Sequence, residues 1–163
     1  MNMTSIAREN FGLKAILVGG ALAGILDISQ AFLAWGLMGI PPYRILQNVA
    51  AGALGPASFQ MGLRSAALGL LLHFFIAFTA ATAFWLARRC LPALVKRPVI
   101  CGLLYGELVY VFMNFAVVPL SALHHFPVFT TAHIITGPIG HPFLVGLPIA
   151  LTAHAFDRNS EAS

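Results

Sequence analysis

Polar side chains are sparse along this chain, and four stretches of 17 to 24 residues have few of them. They lie at about Lys14–Leu37, Arg64–Ala87, Pro98–Leu120 and Gly140–Phe156. A helix needs about 20 mostly apolar residues to cross about 30 Å of hydrocarbon, so four transmembrane helices are predicted. The fourth is short and holds Pro148, and its start can lie as early as Thr131 with a bend at Gly137-Pro138. Between the first two stretches, Pro41-Pro42 opens a further helix and Gly55-Pro56 closes it. Its apolar face is Ile45, Leu46, Val49, Ala50 and Ala53, with Arg44, Gln47 and Asn48 elsewhere. That pattern fits a short interfacial or re-entrant helix. The fold class expected is an all-α membrane protein, a compact four-helix bundle over residues 1–157 with a polar tail at 158–163.

Composition supports this reading. Of 163 residues, 59% are hydrophobic and only 9% charged, against about 45–50% and 25% in soluble domains. A chain this short cannot hide so much apolar surface from water. The apolar run from Leu13 to Ile40 is too long for a secretory signal and is interrupted by Asp27, so it is expected to be a retained span.

The net charge of +4 reflects loop anchors, and no nucleic-acid partner is implied. Arg8, Lys14, Arg88, Arg89, Lys96, Arg97 and Arg158 fall on the side of the termini and the middle loop; Arg44 and Arg64 fall on the other. The positive-inside rule therefore places both termini in the cytoplasm. The short connection RRCLPALVKRP predicts that the second and third spans form a tight hairpin. Cys90 and Cys101 have no metal or redox spacing and are expected to be reduced thiols.

Polar groups inside a membrane cost about 2.5–3.5 kcal/mol on insertion scales and usually face a bundle interior. The candidates are Asp27, Gln30, His73, Glu107, Tyr110 and Asn114. Gly19, Ala23 and Asp27 recur every fourth residue, as do Ser65, Gly69, His73, Ala77 and Ala81, and Gly102, Gly106, Tyr110 and Asn114. Small residues at this spacing let helices approach closely in lipid. By helical rise, Asp27 lies about 10 Å and His73 about 13 Å below the outer boundary. The expectation is an Asp27–His73 contact, with the first ridge packed against the second span. A polar ladder would continue through Asn114 and Tyr110 to Glu107. Carboxylates out of water hold protons more tightly and imidazoles titrate near neutrality, so such a ladder can conduct or sense protons or a small cation. The alternative is a scaffold or accessory protein whose polar residues only fix helix register.

His124, His125, His133 and His141 form an outer group able to line a metal site or a cap. Their spacing matches no standard metal motif, and helix capping before Pro142 accounts for His141. For His154, a role at a helix C-terminus suffices. No cofactor is expected; b-type haem on His73 and His141 is the redox alternative. Phosphate loops, HExxH and GxSxG are absent, so no catalytic residue is assigned and enzymatic activity is not expected.

The stretches AGILDISQAF, PPYR, LHFFIAFTAATAFWLARR, GLLYGELVYVFMNFAVVPLSAL and GHPFLVGLPIAL together resemble a group of small, uncharacterised bacterial four-helix membrane proteins. More distantly the chain is similar to the YagU-type inner-membrane family, whose members carry a longer outer insertion. The likeness covers most of the chain. It implies a bacterial inner-membrane location and a role in acid or envelope stress, and it carries over no catalytic residues. The partners implied are the lipid bilayer and further copies of the chain or another membrane protein.

Overall fold

The computed structural model describes residues 3–124 and 130–161, and every regular element among them is helical. Helix α1 is Met3–Gly36, α2 is Pro42–Leu54, α3 is Leu63–Ala87 and α4 is the single turn Ala93–Lys96. Helix α5 covers Pro98–Leu120 with a π-helical turn at Met113–Val117. Helix α6 is assembled from the turn Thr131–Ile134, π-helical turns at Ile135–Ile139 and Pro142–Gly146, and the α-helical Leu147–Glu161.

Four segments are long and apolar enough to cross a membrane: Phe11–Gly36, Leu63–Ala87, Pro98–Leu120 and Ile135–Arg158. The fourth starts nearer Thr131 than Gly140. Pro138 and Pro142 each remove a backbone donor without ending the helix, because π-helical turns re-space the remaining bonds. Gly39 and Gly55 have φ of 82° and 67°, values that side chains disfavour, and they turn the chain after α1 and α2.

Glycine faces hold the long helices together. A methyl on Gly146 would occupy the space of the Gly102 carbonyl and the Gly106 backbone, and one on Gly106 would meet the His141 carbonyl and Pro142 Cα. Helices α5 and α6 therefore touch backbone to backbone, the close approach that small residues permit in lipid. Helix α1 packs against both α3 and α6. Gly20 and Gly24 receive the rings of Phe78 and Phe74 from α3, whereas Gly19 lies against Ile149 and Thr152 of α6. The ridge Gly19–Ala23–Asp27 thus faces α6. The expected packing of that ridge on α3 is corrected: neighbouring residues are about 100° apart on a helix, and Gly20–Gly24 form the ridge that meets α3.

Helix α2 lies along the start of α3, where Gly69 has room only for the backbone of Leu46 and Ala50. Gln47, expected off the apolar face, is 1% exposed. Its Nε2 donates to the Gly62 carbonyl (2.9 Å) and Ser65 Oγ (3.4 Å), and its Oε1 accepts from Arg44 (3.3 Å). Ser58 Oγ donates to the Gln47 carbonyl, and Ser65 Oγ to the Ser58 carbonyl at 2.6 Å. Buried polar groups are affordable when bonded in this way.

The opposite end of the bundle gathers the end of α3, the turn α4 and the end of α6. Arg88 pairs with Asp157 at 2.6 Å and stacks 3.5 Å over the Trp85 ring, while His154 Nδ1 donates to the Val95 carbonyl at 2.6 Å. His154 therefore tethers α4 rather than serving only its own helix end. Cys90 and Cys101 are free thiols. The expected tight hairpin is only partly formed. Helices α3 and α5 meet near their connection, where the Phe84 and Tyr105 ring centroids are 5.0 Å apart and Tyr105 Oη donates to the Ala80 carbonyl at 2.7 Å. Beyond it they do not pack along their length.

Candidate functional site

Pro138 and Pro142 sit four residues apart on α6, and the irregular turns between them project polar groups toward α1 and α5. His141 Nδ1 lies 2.9 Å from the Thr136 carbonyl. A carbonyl can only accept, so this nitrogen carries the proton. Asp27 Oδ1 of α1 stands 3.9 Å from the same nitrogen, with side-chain exposures of 23% for Asp27 and 19% for His141. One turn along α1, Gln30 Nε2 donates to the Ile135 carbonyl at 3.1 Å. Both carbonyls lie in the π-helical turn, where side chains supplement the disturbed backbone ladder.

The remaining wall comes from α5. The Tyr110 ring meets His141 edge to face, with centroids 5.5 Å apart. Gly137 and Gly140 make the approach possible, since a methyl on either would collide with the Tyr110 ring or the Gln30 amide. Gln30 Oε1 and Tyr110 Oη are buried with no hydrogen-bond partner among the described residues. The site thus combines a carboxylate, an imidazole, an amide oxygen with unused capacity and a phenol, all on facing helices. At 3.9 Å the carboxylate is beyond hydrogen-bond distance of the imidazole, whose Nδ1 proton goes to the Thr136 carbonyl, and the oxygen set suits a small hard cation.

The structure brings together Asp27, Gln30, Tyr110 and His141. His73 lies elsewhere: its Nε2 donates to the Gly24 carbonyl at 2.9 Å, and it forms neither hydrogen bond nor ion pair with Asp27. The expected Asp27–His73 contact is replaced by Asp27–His141 because the Asp27 ridge faces α6. His141 is no helix cap, since the helix runs on through it from Thr131.

Asn114 donates to the Tyr110 carbonyl of its own helix at 3.0 Å. Glu107 is half-buried beside Gly106 and makes no hydrogen bond or ion pair with another described residue. The expected ladder is therefore not a continuous hydrogen-bonded chain. Among the outer histidines, His133 packs edge to face on Trp35 at 4.9 Å and bonds Thr130 Oγ1 at 3.1 Å. His124 is exposed, with φ 48°, and His125 lies outside the described residues. Among the described residues, no group of three or more His, Cys, Asp or Glu is arranged to hold a metal ion.

Thr136, Gly137 and Gly140 also shape the site, and the sequence signal that could have found them is the pair of prolines flanking a glycine-rich helix start. No protein-family model, curated protein or solved structure matches the chain.

Proposed function

We propose that the chain is a multi-pass protein of the bacterial inner membrane, with both termini in the cytoplasm, and that the Asp27–His141 site binds and passes protons or a small cation. The orientation rests on the seven basic residues of the terminal side against two on the other. With that orientation α2 is a short helix of the outer interface and the Asp27–His141 site lies in the outer part of the bundle.

The observation that carries the reading is the 3.9 Å approach of Asp27 to His141 on an irregular stretch of α6. Ionisable groups at membrane depth mark ion and proton pathways by default, and helices broken at the site are the way transporters expose backbone oxygens to a cation. Asp27 and His141 each take up a proton, or Asp27 holds the ion; Gln30 and Tyr110 supply further oxygens, and the Thr136 carbonyl orients the imidazole.

Proteoliposomes with a trapped pH-sensitive dye test the reading. A potassium gradient with valinomycin drives proton uptake through the wild-type chain. Asp27→Asn and His141→Gln each reduce it to the level of empty vesicles, and His73→Gln leaves it unchanged. Absence of wild-type flux, or flux indifferent to both changes, leaves Asp27 and His141 as a register lock between α1 and α6.

A further inference from the structure

Three sides of the bundle are closed by helix packing, α3 on α1, α1 on α6 and α6 on α5, whereas the α3–α5 side is open beyond Tyr105. Two cavities of about 410 Å³ each lie along that side, and they share Ile76, Met113 and Val117. They form one cleft, each part within the roughly 300–1,000 Å³ range of small-molecule sites.

The two parts differ in chemistry. The part nearer the middle of the spans is lined by Phe75, Ala80, Ala83, Leu108 and Phe112. Its polar groups are already bonded, Thr79 Oγ1 to the Phe75 carbonyl at 2.7 Å and Tyr105 Oη to Ala80. It therefore offers nothing to a polar ligand. The part nearer α2 is lined by Asn48, Asn114, Ser121 and the His133 imidazole together with Leu72. The Asn48 amide and Asn114 Oδ1 make no hydrogen bond with another described residue. Among the described residues, no Lys, Arg, Asp or Glu lines either part.

We propose that this cleft binds one acyl chain of a membrane lipid, with its uncharged ester and glycerol region against Asn48 and Asn114. The order of polarity along the cleft, amides toward α2 and hydrocarbon toward the middle of the spans, is that of a lipid lying along α3 and α5. The lack of a Lys or Arg among the described lining residues matches an ester level rather than a phosphate. The unmatched amides favour a lipid over a second copy of the chain, whose α3 and α5 faces would bring leucine and phenylalanine. This inference rests on the membrane reading and is independent of proton or cation flux.

The test uses the full chain in phosphatidylcholine vesicles containing a small fraction of phosphatidylcholine with a diazirine in one acyl chain. After irradiation and digestion, adducts on segments 75–83 and 105–117 are expected to exceed severalfold those at Ile25 and Leu33, which are exposed on α1 away from the cleft. Ala83→Phe, which fills the cleft, is expected to abolish that excess. The wild-type map alone decides the matter if the variant fails to fold. Even labelling of the cleft and of Ile25 and Leu33 overturns the proposal. So does a protected cleft with copies cross-linked through a cysteine at Phe112, which would make the occupant another protein.

Discussion

Asp27 of α1 faces His141 of α6 across 3.9 Å, in a bundle where His73 of α3 bonds the Gly24 carbonyl one turn away. A double-mutant cycle separates these partners. In detergent unfolding, Asp27→Asn and His141→Gln are expected to be non-additive by about 0.5–3 kcal/mol, as for residues in contact. Asp27→Asn and His73→Gln are expected to add within about 0.5 kcal/mol.

Why the sequence suggested the wrong partner is a matter of helical phase. Gly19, Gly20, Ala23 and Gly24 supply two small-residue ridges side by side, and spacing does not say which neighbour each ridge receives. The spans themselves were legible, because long apolar runs admit no other placement at this length. The extent of α2 was legible too, from Pro42 and Gly55. The burial of Gln47 was not, since its partners Gly62 and Ser65 follow a turn whose path no periodicity records. Likewise Gly137-Pro138 marked a bend in α6 and Pro142 suggested a helix start, but neither showed the π-helical turns that aim Thr136 and Ile135 carbonyls at His141 and Gln30.

Backbone contact between α5 and α6 sets the second prediction. Gly146→Ala is expected to destabilise the bundle by about 1–3 kcal/mol or more, the usual cost of forced overpacking. Gly36→Ala, where no atom lies within 4 Å of the added methyl, is expected to be neutral or slightly stabilising. Thermal melts of both variants in detergent check the contrast.

Gln47 carries the third. Gln47→Ala deletes the buried amide that donates to the Gly62 carbonyl and Ser65 Oγ and accepts from Arg44, leaves a void in its place, and is expected to cost about 1–3 kcal/mol. The exposed Gln60 serves as the control, with Gln60→Ala changing stability by about 0.5 kcal/mol or less. Hydrogen exchange should show faster opening of α2 in the first variant only.

At the other end of the bundle, Asp157→Asn breaks the pair with Arg88 and is expected to cost about 1 kcal/mol or less, with a loss that shrinks as salt is added. Arg88→Met removes the stacking on Trp85 as well and should cost more, by about 0.5–1 kcal/mol. Trp85 fluorescence during unfolding reports both.

Glu107 lies within an apolar span without a hydrogen-bond or ion-pair partner among the described residues. Glu107→Leu is expected to raise the detergent melting temperature, because an unpaired carboxylate is disfavoured in hydrocarbon. A fall in melting temperature would mean that the carboxylate is paired in the assembled protein.

Gly102, Gly106 and Gly146 leave no space for a methyl group, and this has a genetic consequence. Every glycine codon begins GG, so a change in its third base is silent, while any missense change in its first or second base adds a side chain. At these codons there is no conservative replacement one mutation away. A saturation library selected for folded protein would therefore lose nearly all missense alleles at the three positions, while Gly36, with open space around it, would keep its alanine allele.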